Sequence, residues 1–231
     1  MAIISANAEW RVVRELYPDV IVQKSPFGEF TELDLEGRTV TLFQGGWGKI
    51  SAAASAQYVI DHFRPELLFN LGTCGGFAGR VERGTILLVE RTLVYDILEQ
   101  MGDMAAALDH YTTSLNLGWL PAELPHPALR GPLVSADRDL LAGDIPGLIE
   151  KYEAVAADWE SGAIAWVAGR NNTPCLILRG VSDLVMPEGG EAYGNLELFH
   201  ERTKTIMQEL LRELPGWLAC AERGLQSRRE A

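Results

Sequence analysis

Short apolar runs alternate along the chain with stretches of helical period and with glycine-bearing turns. Ala2-Ile3-Ile4 is an apolar strand that opens directly into Ser5-Ala6-Asn7-Ala8-Glu9. Trp10, Val12, Val13 and Leu16 then recur at helical spacing until Pro18, which puts Glu9 in the first turn of a helix at the mouth of strand one. Residues 26–44 read as a hairpin, with Phe27, Phe30, Leu33 and Leu35 before the turn Glu36-Gly37 and Val40, Leu42 and Phe43 after it. Gln44-Gly45-Gly46-Trp47-Gly48-Lys49 leads into an Ala-rich helix over 50–63, with Lys49 expected in solvent. Leu67-Leu68-Phe69-Asn70 predicts a strand that feeds a small-residue turn, Leu71-Gly72-Thr73-Cys74-Gly75-Gly76, whose backbone N–H groups suit a pocket wall.

The second half repeats the alternation. Residues 85–89 read as a strand, and 133–137 as a strand entering a short helix capped by Asp137. Residues 154–160 are strand-like and end in acids around Trp159, before a small-residue helix over 161–169. Cys175-Leu176-Ile177-Leu178 is a buried strand that delivers Arg179, Ser182 and Asp183 in quick succession. A terminal helix over 195–222 is expected to bend near Pro215, and the polar tail 224–231 to fray. Residues 93–129 carry no clear period, and their apolar content favours burial against a partner subunit. Strands alternating with helices make this an α/β chain: one domain over 1–231, with a mixed, twisted central sheet, partly closed, between helices.

Composition narrows the function. A formal net charge of −12 over 231 residues argues against partners that reward a basic surface, so neither nucleic acid nor an anionic membrane is expected. The apolar runs are too short for a membrane span, and the first residues lack the pattern of a signal peptide. Three widely spaced cysteines, Cys74, Cys175 and Cys220, suit reduced thiols in the cytoplasm, and no Cys/His cluster has zinc-ligand spacing.

Three carboxylates, Glu9, Glu160 and Asp183, stand at the ends of predicted strands, where open α/β sheets bind ligands. Viewed alone, Glu9 reads better as a first-turn acid that complements the helix dipole, and Asp183 as a turn cap or a partner of Arg179. Their order and spacing, together with Asn70-Leu71-Gly72-Thr73-Cys74-Gly75-Gly76, Asp158-Trp159-Glu160-Ser161, Leu178-Arg179-Gly180-Val181-Ser182-Asp183 and Gly46-Trp47-Gly48-Lys49, resemble the nucleoside phosphorylase and nucleosidase superfamily. Within it, the resemblance is to the 5′-methylthioadenosine/S-adenosylhomocysteine nucleosidase branch, over roughly 2–210. The resemblance implies a barrel-like sheet of the nucleoside phosphorylase type, a purine nucleoside substrate, no cofactor and no metal. It also implies a homodimer or higher homo-oligomer, because family sites borrow residues across subunits. Asp183 matches the acid that protonates the leaving base and Ser182 the residue that orients it. Glu160 matches the acceptor of the two ribose hydroxyls, with Trp159 facing the sugar. Asp158, Thr73, Cys74, Gly75 and Trp47 are expected around the substrate.

The water-activating glutamate of the family falls on Trp10 without a gap and on Glu9 after a one-residue shortening. Glu9 is preferred, because tryptophan cannot accept a proton from water. Where the family stacks the base on an aromatic residue, this chain has Asp137-Arg138-Asp139-Leu140, so either the base differs or the face falls to Trp47, Phe77 or Trp159. Phosphorylases of this fold bind phosphate with arginines before the glycine motif and near the N-terminus. Here Phe69-Asn70 and Asn7-Ala8 stand in those places, which favours hydrolysis over phosphorolysis. A phosphate-dependent phosphorylase is the alternative. A nucleoside-binding protein impaired in catalysis is the reading from another class, and binding without turnover would mark it.

Overall fold

The computed structural model describes residues 1–186 and 189–230. In chain order the elements begin β1 (Ala2–Ile4), α1 (Asn7–Leu16), β2 (Val22–Lys24), β3 (Glu29–Leu35), β4 (Arg38–Gln44) and α2 (Gly48–Phe63). There follow β5 (Leu68–Phe77), β6 (Ile86–Val94), α3 (Met104–His110), β7 (Thr112–Ser114), β8 (Leu129–Ser135) and α4 (Ile145–Tyr152). The chain ends with β9 (Ala156–Asp158), α5 (Ser161–Arg170), β10 (Cys175–Met186), β11 (Gly189–Gly190) and α6 (Leu196–Glu230).

The sheet divides at β5. Leu68 to Leu71 lie beside β1, which pairs in turn with β4 and so with the β3–β2 edge, while Gly75 and Gly76 pair with β9. β10 runs parallel to β5 along its length and antiparallel to β6. β6 continues through β8 to β9, so β5, β10, β6, β8 and β9 close into a ring with the hairpin side of the sheet attached to one wall. The result is the expected mixed, partly barrel-like sheet. One extra residue, Ser182, interrupts the β10–β5 ladder, because Val181 lies opposite Cys74 and Asp183 opposite Gly75.

Side-chain alternation distributes the core. Ala2 and Ile4 face the layer built by α1 and α6, where Trp10, Val13, Leu210, Leu214 and Trp217 are buried. Ile3 points the other way, onto α2 and α5, with Ala52, Ala56, Ile164 and Ala168. The small residues of those two helices let them pack closely over the sheet. A third cluster, including Phe77, Val134, Leu148 and Val185, fills the side near α4. The β3–β4 turn fits its sequence, since Glu36 (φ 55°) and Gly37 (φ 81°) both adopt the left-handed region that a two-residue hairpin needs.

Five local expectations change. Residues 71–76 are no turn but the middle of β5. Asp137 caps no helix of its own; it accepts from the Lys49 N–H, near the start of α2, at 2.7 Å. Lys49 leaves solvent to pair with Asp96. The irregular 93–129 segment contains α3 and β7. At the C-terminus, α6 runs through Pro215 without interruption and continues to Glu230 where a frayed tail was expected; Ala231 lies outside the described residues. Among the described residues, no helix is long and apolar enough to cross a membrane.

Candidate active site

A single arginine organises the chemistry. Arg179, on β10, is wholly buried. A charge can sit there only if it is paired and hydrogen-bonded. Its Nε lies 2.9 Å from Asp158 Oδ2 and donates to Ser161 Oγ at 2.8 Å, and its Nη2 donates to Asn70 Oδ1 at 2.7 Å. Its Nη1 lies 3.9 Å from Glu9 Oε1. Asp158 is drawn into this network rather than towards a ligand. It accepts from Ser135 Oγ at 2.5 Å, from the Ser161 N–H and from the Ser161 hydroxyl. Asp158, expected around the substrate, lies in the wall of the cleft with its oxygens engaged within the protein. Arg179 and Asn70 stand in the quoted motifs, but no role was assigned to either from the sequence; the signal for a buried network was a cation and an amide inside otherwise apolar strand runs.

Glu9 is placed by a local rule. Ala6, at the N-cap of α1, has no side-chain acceptor, and Glu9 at the third helical position reaches back to the Ala6 N–H at 3.1 Å. Its other oxygen accepts from the Thr73 N–H at 2.6 Å and the Thr73 hydroxyl at 3.0 Å. Gly72 makes room for this. A Cβ there would lie 1.8 Å from Arg179 Nη1 and 2.7 Å from Glu9 Oε1.

Asp183 stands on the other side of the cleft. It is buried, and its carboxyl is pushed above the ordinary carboxylate range, first by burial and also by nearby Glu191. Ser182 Oγ donates to Asp183 Oδ1 at 2.8 Å, and this bond, followed by the charge of Arg202, opposes the shift. The local alternative, a pair between Asp183 and Arg179, does not form.

Glu160 occupies the N-cap position of α5 without capping it, since Asp158 takes the Ser161 N–H instead. Its carboxylate is left to accept from the Gly48 N–H at 3.1 Å. Burial, then the charge of Asp158, pushes it up to about 8. Trp159 stacks on Trp47 with ring centroids 4.9 Å apart and planes at 23°. Trp47 is 63% exposed, an unusual exposure for so large an apolar ring, and forms a rim.

These groups share one cleft of about 650 Å³. Glu9, Thr73, Cys74, Gly75, Asp158, Glu160, Ser182 and Asp183 line it together with Trp47 and Trp159. Tyr193 and Phe199, from the segment after β10 and the start of α6, complete the wall and had no sequence signal. Cys74 turns its thiol towards the Gly180 carbonyl, and burial pushes that thiol up, so it is a packing group and no nucleophile. Phe77 is fully buried in the third apolar cluster and cannot offer a face to a ligand. A second cavity, of about 510 Å³ beside α3 and α4, shares no lining residue with the first.

The arrangement brings Asp183, whose burial favours the protonated form of its carboxyl, into the same space as Glu9 and Glu160, the kind of separation of environments that acid and base roles in one reaction require. The family model of the Phosphorylase superfamily matches residues 2–214. The 5′-methylthioadenosine/S-adenosylhomocysteine nucleosidase of Maridesulfovibrio salexigens is 29% identical over 181 residues, covering 72% of this chain and 78% of its own. The protein of the same name from Marinomonas sp. is 26% identical over 225 residues, covering 89% and 95%. The crystal structure of the Neisseria meningitidis nucleosidase in complex with methylthio-immucillin-A has a TM-score of 0.72 at 21% identity, covering 94% of this chain and 97% of that one. The model match spans nearly the whole chain from β1 into α6, and on that ground the chain belongs to the phosphorylase superfamily.

Proposed function

We propose that the cleft hydrolyses the N-glycosidic bond of a purine nucleoside, releasing the free base, and that 5′-methylthioadenosine and S-adenosylhomocysteine are its substrates. The observation that carries this reading is Asp183: a buried carboxyl, raised and held by Ser182, in the same cleft as Glu160 and Glu9. In the reaction the bond between the base and C1′ breaks and its electrons pass to the base. Asp183 delivers its proton to that leaving base. Glu160 accepts hydrogen bonds from the two neighbouring ribose hydroxyls, a match of two O–H donors to one carboxylate. Water attacks C1′, and Glu9 takes the proton released. The stacked Trp47 and Trp159 supply the aromatic face missing from 137–140.

Water is favoured over phosphate because the arginine beneath Glu9 is wholly buried and spends Nε and Nη2 on Asp158, Ser161 and Asn70, so that only Nη1, 3.9 Å from Glu9, has no hydrogen-bond partner and no two-pronged fork is left for an anion. The same reading includes a cytoplasmic homo-oligomer. Three buried, unbridged cysteines suit a reducing compartment. Ile50 (84% exposed), Leu98 (75%) and Met101 (100%) are large apolar side chains left in water, as a subunit contact would cover.

The test is base release from a nucleoside panel with and without inorganic phosphate. Free base and free sugar without phosphate are expected, and Asp183→Asn should lower turnover by about 10²–10⁴-fold. A strict phosphate requirement with a sugar 1-phosphate product would reverse the choice of nucleophile. Tight binding with no turnover would leave a binding protein.

A further inference from the structure

Three consecutive residues at the turn into α2, Trp47 at its N-cap and Gly48 and Lys49 in its first turn, each engage a different partner. The Trp47 ring lies on Trp159. The Gly48 N–H donates to Glu160 Oε1 at 3.1 Å. The Lys49 N–H donates to Asp137 Oδ1 at 2.7 Å. Beyond the loop the contacts close on themselves. The Lys49 ammonium bonds Asp96 Oδ1 and lies 3.9 Å from Asp137 Oδ2, while the Asp137 N–H donates to Asp96 Oδ2 at 3.0 Å. Gly48 adopts φ +82°, and a Cβ there would sit 3.1 Å from Asp137 Oδ1, so the loop is seated directly against this aspartate. Lys49, Asp96 and Asp137 come from three separate segments, after β4, β6 and β8, and no contact with the substrate has been assigned to any of them.

We propose that Asp137, with Lys49 and Asp96, is a positioning residue for Glu160: it fixes the loop that keeps the Gly48 N–H on the carboxylate assigned to the ribose hydroxyls. This rests on the nucleosidase reading of the cleft. Partly exposed ion pairs of this kind contribute little to stability. Their geometry explains them better, because a free glycine loop would hold its N–H on Glu160 for only part of the time. The consequence is electrostatic. The ionised form of Glu160 is opposed by burial, by Asp158 on β9 and by Glu9 on α1, and favoured by Arg179 on β10 and by the Gly48 N–H. Releasing the loop removes one of the two groups that favour the carboxylate.

The experiment measures kcat and KM for base release from 5′-methylthioadenosine between pH 5 and 9, alongside thermal melts, for the wild type, Asp137→Ala, Asp137→Asn and Lys49→Met. In Asp137→Ala the acid limb of kcat/KM is expected to move to higher pH. Its KM at pH 7 should rise about tenfold, the effect of losing one hydrogen bond to a charged group, with the melting temperature little changed. Asp137→Asn keeps an acceptor for the Lys49 N–H and should recover most of the loss. Where Asp137→Ala does not fold, Lys49→Met decides, with a smaller shift in the same direction. An unmoved acid limb in the folded variants, or a loss of activity equal at every pH, would overturn the proposal. If the wild type itself releases no base, it is the nucleosidase reading that falls, and the positioning role falls with it.

Discussion

Gly72→Ala adds one methyl group at the most crowded point of the molecule. Its ideal position is 1.8 Å from Arg179 Nη1 and within 2.7 and 3.0 Å of the two Glu9 oxygens. The guanidinium cannot retreat, because Nε and Nη2 are tied to Asp158, Ser161 and Asn70, and all of these are buried. Ordinary contact needs more than 1.5 Å of movement, which breaks at least one of those links. Uncoupling a buried ion pair costs about 3–5 kcal/mol, a large share of the roughly 5–15 kcal/mol that holds a typical domain folded. Intrinsic preference points the other way, since Ala is a better strand residue than Gly by roughly 0.5–1 kcal/mol, and Gly72 has no left-handed backbone to protect. Urea denaturation followed by circular dichroism measures the difference, and a chain of this size should melt roughly 6–20 °C lower. Base release should fall with it, because Glu9 moves too. A Gly72→Ala protein within about 1 kcal/mol of wild type would refute the picture of a rigid, fully committed Arg179.

Other substitutions separate the remaining effects. Gly147→Ala, inside α4 with nothing within 4 Å of the added Cβ, should stabilise by up to about 1 kcal/mol through helix propensity, read in the same urea series. Trp47→Ala should raise KM several-fold while shifting the melting temperature by no more than a few degrees, since a stacked aromatic pair is worth about 0.5–1.5 kcal/mol; an unchanged KM would remove Trp47 from the site. Glu160→Gln should change stability in a pH-dependent way. A carboxyl raised from 4.5 to about 8 by folding is tolerated when protonated. Its contribution is therefore fully present below about pH 4.5 and is lost as pH rises towards 8. The variant should gain melting temperature over wild type at pH 8 and little at pH 5, and equal differences at both pH values would contradict a buried, raised Glu160.

Much of this molecule can be read along the chain, for identifiable reasons. The hairpin, α2, α5 and the buried core of β10 follow from period and from turn residues, all of them local. The convergence of Glu9, Glu160 and Asp183 was legible because Glu9 and Glu160 closely follow β1 and β9 and Asp183 stands in the last third of β10. What sequence hides is long-range pairing. The glycine run 72–76 reads as a turn in isolation, yet it lies within β5 because β10, a hundred residues later, supplies a complete ladder. Asp158 looks like a ligand contact until Arg179 is seen to claim it. Lys49 looks solvated until Asp96 and Asp137 are brought beside it. Asp137 illustrates the same limit, being a capping residue for a helix eighty-eight positions earlier.

The extra residue in β10 has a consequence at the level of the gene. Strand residues alternate between two faces, so the count of residues, odd or even, decides where a side chain points. Ser182 supplies the odd residue that lets Asp183 follow Val181 out of step with the neighbouring strand. Losing the Ser182 codon would remove the bulge and the hydroxyl that donates to Asp183, yet leave Asp183 opposite Gly75 and Leu184 opposite Gly76, on the sides they hold now. The strand absorbs a deletion at that codon. Loss of one residue from the regular stretch before it has no such outlet, and turns every side chain on one side of the gap to the opposite face.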